Sequence, residues 1–201
     1  MATRNSGYGP QTHEKFYTPP WVVSRDLASL WQPPRHAEIW EPCAGDGRLA
    51  RAIANSFGAC LASDLYPDRR QYHRVARLDF LKSRGPSAGG NFPLVIITNP
   101  PYGVQNRLAV RFLAHALDVT EQSGGSVVML LSFGIDAGRT RAGVFGHHPA
   151  FAAKITTSQR IRWSNIPQKD NDPSGDHALF IYEWQARRRN AWAGRQLQVA
   201  A

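Results

Sequence analysis

The sequence predicts an α/β fold, a doubly wound and mostly parallel sheet of seven strands, on three observations. Short apolar runs alternate with segments of helical periodicity along most of the chain. The first run meets its helix through a glycine turn, Ala44-Gly45-Asp46-Gly47. A β-branched run, Leu94-Val95-Ile96-Ile97, stops abruptly in Thr98-Asn99-Pro100-Pro101-Tyr102-Gly103, as a buried strand does when it delivers a rigid loop to its carboxyl edge. Open α/β sheets keep their ligand sites at that edge.

Taken in order, Phe16-Tyr17-Thr18-Pro19-Pro20 precedes an amphipathic segment, residues 21–31, in which Val23, Leu27, Leu30 and Trp31 recur at helical spacing. Ala37-Glu38-Ile39-Trp40 reads as the first strand and leads into Glu41-Pro42-Cys43-Ala44-Gly45-Asp46-Gly47. A helix follows from Arg48 to Phe57 and stops at Gly58. Gly45 and Gly47 carry no Cβ and let the backbone approach a ligand, while Glu41 sits where a carboxylate can pair with a cationic group. Residues 60–64 read as a second strand ending in Asp64, 19 residues beyond Gly45. Dinucleotide-binding folds place a ribose-binding acid about 20 residues on, so Asp64, with Leu65 beside it, is the ribose candidate.

Leu78-Asp79-Phe80-Leu81 admits two readings, a turn capped by Asp79 or a ligand-binding loop. Its place between Asp64 and the Asn-Pro-Pro-Tyr strand favours the second. Beyond Gly103 a helix is expected with Leu108, Phe112, Leu113, Ala116 and Leu117 on one face. After it come Gly124-Gly125, a strand over 126–132, a Gly/Arg/His-rich loop over 134–149, and two late strands, 154–161 and 177–184, the last of them antiparallel. A polar Pro/Asn/Asp/Ser segment connects those two strands.

In the central loop Asn99 offers an amide acceptor, Pro100 a carbonyl with no N–H of its own, and Tyr102 a flat ring. Together they suit a planar aromatic amine. The residues resemble motif IV of the S-adenosylmethionine-dependent amino-methyltransferases, in which Asp, Asn or Ser precedes Pro-Pro and an aromatic. The Asn form is commonest among enzymes that methylate the exocyclic amine of adenine, and it also occurs in protein glutamine methyltransferases.

Glu41 to Gly47 resembles motif I of the same enzymes, whose acid and glycine loop hold the methionine part of the cofactor. Residues 78–81 resemble motif III, in which Asp79 would bond the cofactor's adenine amine and Phe80 pack on its ring. Phe16 to Pro20 resembles motif X, which closes over the methionine end and here stands first in the chain, the gamma-group order. That placement favours a nucleic-acid methyltransferase over a glutamine methyltransferase, which usually carries an N-terminal helical domain. The resemblance therefore implies a class I, Rossmann-like domain that binds S-adenosylmethionine through Thr18, Pro19, Glu41, Pro42, Cys43, Ala44, Gly45, Gly47, Asp64, Leu65, Asp79, Phe80 and Asn99. Catalysis would fall to Asn99, Pro100, Pro101 and Tyr102.

The activity so implied is methylation of adenine N6 in DNA, with RNA adenine, protein glutamine and a non-catalytic nucleic-acid binder as successive alternatives. Cytosine C5 chemistry needs a cysteine nucleophile where this chain has Pro101, and cytosine-N4 enzymes more often begin the motif with Ser. A duplex base would have to be flipped out, with Tyr102 stacking on it. Trp163, or failing that Phe180, is the candidate for the opposite face.

Composition is consistent with this reading. A chain of 201 residues with 42% hydrophobic content can build one core, expected over 1–186, with 187–201 as a basic tail. The formal net charge is +9. Arg139, Arg141, Arg160, Arg162 and Lys169 are expected around the active loops, and Arg187, Arg188, Arg189 and Arg195 in the tail, where they would draw phosphate backbones. Cys43 and Cys60 lack metal-ligand spacing and read as buried thiols in a reducing compartment; His147-His148 lack a third ligand, so no metal is expected. With no membrane-length apolar run and no secretory pattern, a cytoplasmic protein is expected. The missing recognition module resembles phage and mobile-element methyltransferases, and a homodimer would widen its footprint on DNA.

Overall fold

The computed structural model describes residues 12–86, 92–166, 175–185 and 196–199. Among them eight strands form one sheet: β1 (Glu38–Glu41), β2 (Cys60–Asp64), β3 (Ala76–Arg77), β4 (Leu94–Thr98), β5 (Ser126–Ser132), β6 (Phe151–Thr156), β7 (His177–Glu183) and β8 (Gln196–Val199). Their order is β3-β2-β1-β4-β5-β7-β6-β8. The pairings from β3 to β5 are parallel, β7 runs antiparallel to both β5 and β6, and β8 is parallel to β6. The sheet is thus mixed, with β7 alone reversed, and it gains an eighth strand from within the segment expected to be only a basic tail.

Alternation along the central strands divides their side chains between two cores. Ile39, Val95, Ile97, Val128 and Leu130 face one layer, where α1 (Arg48–Phe57) supplies Leu49, Ala50 and Ile53. Trp40, Ile96, Val127, Met129 and Leu131 face the other, where α2 (Arg107–Glu121) supplies Ala109, Leu113, Ala116 and Leu117. A central strand covered on both faces is apolar through its interior, which explains the apolar runs 94–97 of β4 and 127–131 of β5, with polar residues only at the strand ends.

Both ends of α1 fall where glycines allow them. Gly47 caps the helix at φ 80° and Gly58 ends it at φ 99°. A side chain at position 47 would also place its Cβ 2.8 Å from the His73 carbonyl.

Three elements depart from expectation. The first helix is a short wide coil, Val22–Leu27, in which the Ala28 N–H reaches back to the Val23 carbonyl at 2.9 Å. That i→i+5 bond turns the buried face toward Val22, Val23, Leu27 and Trp31 and leaves Leu30 exposed. The helix expected from Gly103 begins at Arg107, and Leu108 and Phe112 face a cavity. Finally, β6 starts at Phe151 and ends at Thr156, earlier than the expected 154–161. Buried Asp26 accepts the Ser158 N–H at 2.8 Å and its hydroxyl at 2.9 Å, which draws the chain out of the sheet.

Candidate functional site

The carboxyl ends of β1, β2 and β4 open into a cavity of about 440 Å³. Its floor is the turn after β1, its flanks are the loops after β2 and β4, and its roof is residues 13–18. Most of the expected cofactor residues line it: Thr18, Pro42, Cys43, Ala44, Gly45, Asp64, Leu65, Asp79, Phe80 and Asn99. Glu41 lies buried behind the lining, next to Pro42, and Pro19 is also outside it; the Pro19 carbonyl receives the Val22 N–H at 3.2 Å and starts the coil. Gly47 instead shapes the helix start.

Glu41 ends β1 completely buried. One carboxylate oxygen, Oε1, accepts the Cys43 N–H at 2.9 Å and the Thr98 hydroxyl, while Oε2 has no partner. Burial pushes this carboxyl up to about 8, against the lowering effect of the Thr98 and Cys43 bonds and with a further rise from Asp64. Asp64 holds the glycine turn in place: Oδ2 accepts the Gly45 N–H at 2.8 Å and Oδ1 the Tyr66 N–H at 2.7 Å. Asp79 lines the cavity and is also a cap, since Oδ1 accepts the Leu81 N–H at 3.2 Å over the turn Phe80–Lys82. The two readings of Asp79 are therefore compatible.

Asn99 follows β4 with a defined polarity. Its Nδ2 donates to the Phe16 carbonyl at 3.0 Å, and Oδ1 is buried without a partner. Thr18 Oγ1 is likewise buried and unpartnered. Of the four such atoms among the described residues, three belong to Thr18, Glu41 and Asn99, and the fourth is His177 Nδ1. Buried polar atoms are almost always paired, so a concentration of orphans beside one cavity points to a ligand that completes them.

The roof is fastened from several sides, and sequence reasoning had no signal for these long-range contacts. Lys15 pairs with Asp68 at 2.6 Å, and the Tyr17 hydroxyl donates to the same carboxylate. His13 stacks on Tyr66 with ring centroids 3.9 Å apart. Glu14 accepts the Gly103 N–H at 2.7 Å, which ties the roof to the loop after β4. On the far side Asn165 takes the Tyr17 N–H at 2.9 Å and donates to the Lys15 carbonyl at 2.8 Å.

The expected substrate-facing residues are less uniform. Tyr102 directs its hydroxyl to the Leu130 carbonyl at 3.3 Å, packs partly into the α2-side core and lies outside the cavity lining; burial raises its phenol. Its ring stacks on His177 at 6.2 Å and 21°. Trp163 is only 3% exposed, held between Phe16 and His177, and offers no open stacking face; Phe180 is core. His177 Nδ1 is unpartnered, and burial pulls the imidazole down to about 4, so it is neutral near pH 7.

Of the expected basic rim, Arg139 and Arg162 are exposed. Arg141 instead braces two loops, donating to the Ile135 carbonyl at 3.1 Å and the Gln105 carbonyl at 2.8 Å. Arg160 pairs with Asp176 at 2.8 Å. Lys169, Arg187, Arg188, Arg189 and Arg195 lie outside the described residues. Among the described residues no acidic, histidine or cysteine cluster suits a metal ion, and no helix is long and apolar enough to cross a membrane.

No family model matches the chain, and no curated protein matches it. Solved structures do. A Listeria monocytogenes protein assigned as a class I S-adenosylmethionine-dependent methyltransferase superposes with a TM-score of 0.56 at 14% identity, over 88% of this chain and 62% of its own. The type I restriction-modification methyltransferase subunit of Streptococcus thermophilus gives 0.54 at 16% identity, over 84% and 44%. The M protein of the type I restriction enzyme EcoKI gives 0.50 at 13%, over 82% and 43%. The chain thus has the class I methyltransferase fold and spans from under half to about three-fifths of these neighbours' lengths.

Proposed function

We propose that the protein transfers a methyl group from S-adenosylmethionine to the N6 exocyclic amine of adenine in DNA, acting on an extruded base. The observation that carries this reading is the polarity of Asn99. With one Nδ2 hydrogen given to Phe16 and Oδ1 buried without a partner, the unsatisfied atom of the amide is its acceptor oxygen, and a planar amine is a matching donor. Two of the neighbours are a type I restriction-modification methyltransferase subunit and the M protein of a type I restriction enzyme, which favours DNA over RNA as the substrate.

The cavity fits the cofactor. Glu41 Oε2, buried just behind the lining beside Pro42, would be an unpaired acceptor for its ammonium group, Thr18 Oγ1 a second polar contact, and the Asp64 carboxylate an acceptor for ribose hydroxyls. Asp79 and Phe80 would take the adenine amine and ring. When bound, S-adenosylmethionine supplies a methyl carbon activated by a sulfonium centre.

The residues of this chain then orient the acceptor. Adenine's amine is a poor nucleophile because its lone pair is delocalised into the ring. Hydrogen bonds from its two N–H groups to Asn99 Oδ1 and the Pro100 carbonyl draw the nitrogen toward tetrahedral geometry and free the lone pair for in-line attack. The methyl carbon–sulfur bond would break as the N–C bond forms, a neutral thioether would be the leaving group, and the surplus amine proton would pass to bulk water as the product leaves the site. Residues 13–18 roof the cavity and would limit solvent access to the reacting atoms.

The test separates an enzyme from a binder. Asn99→Ala should bind S-adenosylmethionine about as tightly as the parent protein and lose methyl transfer by about 10²-fold or more, as expected for a group acting mainly in the transition state. Equal turnover in the two proteins would remove Asn99 from the chemistry.

A further inference from the structure

The turn that follows the catalytic loop carries the most exposed large apolar side chain among the described residues, Val104, at 79%. Solvent exposure of one valine is ordinary; the backbone beneath it is not. Gly103 has φ 65°, and the two residues after Val104, Gln105 (φ 55°) and Asn106 (φ 61°), both occupy the left-handed region. Three such residues in four are uncommon, and strain of this kind persists only where surrounding contacts over-determine it.

Those contacts are present. The Gly103 N–H is held by Glu14, the Tyr102 carbonyl accepts the Leu108 N–H at 3.1 Å, and the Gln105 carbonyl accepts from Arg141 at 2.8 Å. A Cβ at Gly103 would lie 2.7 Å from that of Leu108, so the turn is also closely packed at its base. The result is a braced turn with an apolar tip, two residues beyond Tyr102, on a chain of net charge +9. Exposed Arg139 lies in the same short turn as the bracing Arg141, where it can meet a phosphate backbone.

We propose that Val104 is a wedge that enters the base stack of duplex DNA and holds open the space left by the extruded target. Apolar side chains inserted between base steps are a general means of unstacking a duplex, and a rigid mount is what lets a small side chain do so. This inference rests on the proposed DNA reading. It assigns duplex opening to a residue outside the transfer site, so single-stranded substrate should not need it.

The experiment compares the parent protein, Val104→Gly and Val104→Met on unmethylated plasmid DNA and on the same DNA heat-denatured. Val104→Gly should lower kcat/KM on the duplex about tenfold or more and leave the single-stranded value within about twofold, with Val104→Met close to the parent. An unchanged duplex rate, or an equal fall on both forms, would overturn the wedge. A second readout needs no catalysis. The parent should bind a labelled duplex with a central mismatch more tightly than a fully paired one, because the disrupted stack opens more easily, and Val104→Gly should lose that preference. Persistence of the preference in Val104→Gly would overturn the proposal. Binding that behaves as expected with no methyl transfer to any form would overturn the enzyme reading alone.

Discussion

Replacing Glu41 with glutamine removes an ionisable carboxyl from a fully buried position. Burial raises this carboxyl from 4.5 to about 8, so the folded protein keeps a proton that the unfolded chain gives up at lower pH. A group whose folded pKa lies above its unfolded value contributes stability that is complete below the unfolded pKa and is lost as pH rises through the folded one. Between those limits the displacement corresponds to a loss on the order of 5 kcal/mol, at about 1.4 kcal/mol per unit. The free parent protein should therefore lose stability in denaturant titrations between pH 5 and pH 8, and Glu41→Gln should flatten that dependence.

Cofactor binding reverses the preference, because an ammonium group on Oε2 favours the carboxylate. At pH 7 a carboxyl with a pKa of about 8 is about nine-tenths protonated, so binding should release nearly one proton. Calorimetric titrations with S-adenosylmethionine in buffers of different ionisation enthalpy measure that release directly, and the difference between the parent and Glu41→Gln isolates this residue. A stability profile and a proton release identical in the two proteins would refute the assignment of Oε2 as the ammonium acceptor.

Two further outcomes are expected. Asp64→Ala should weaken cofactor binding about tenfold or more before it affects turnover, since it removes the proposed ribose acceptor and frees the Gly45 and Tyr66 N–H groups it now holds; equilibrium titration checks this. Gly125→Ala should fail to fold or lose most of its stability in thermal denaturation, because its Cβ would lie 1.8 Å from the Leu94 carbonyl.

The parts of the fold that could be read from sequence are those fixed locally. Helix α1 begins and ends as expected because Gly47 and Gly58 punctuate it, and β4 and β5 are recognisable because burial on both faces leaves polar residues only at their ends. Strand β6 was misplaced because its end is set by Asp26, 132 positions away from Ser158. Most of the residues that line the cavity could be read because they occupy the turns that follow strands. The roof could not, since the chemistry of Lys15 and Tyr17 is fixed by Asp68, and Asn99 acquires its polarity from a backbone carbonyl of residue 16. Nor does periodicity distinguish a stacking tryptophan from a core one: Trp163 reads the same in either role until Phe16 and His177 are seen to enclose it.

The most direct test of the central claim is transfer of labelled methyl from S-adenosylmethionine to unmethylated double-stranded DNA, single-stranded DNA, RNA and a protein lysate in parallel, with nucleoside and amino-acid analysis of each. The account predicts label in DNA as N6-methyladenine. Label confined to RNA or to protein glutamine, or no label in any of the four, would contradict it.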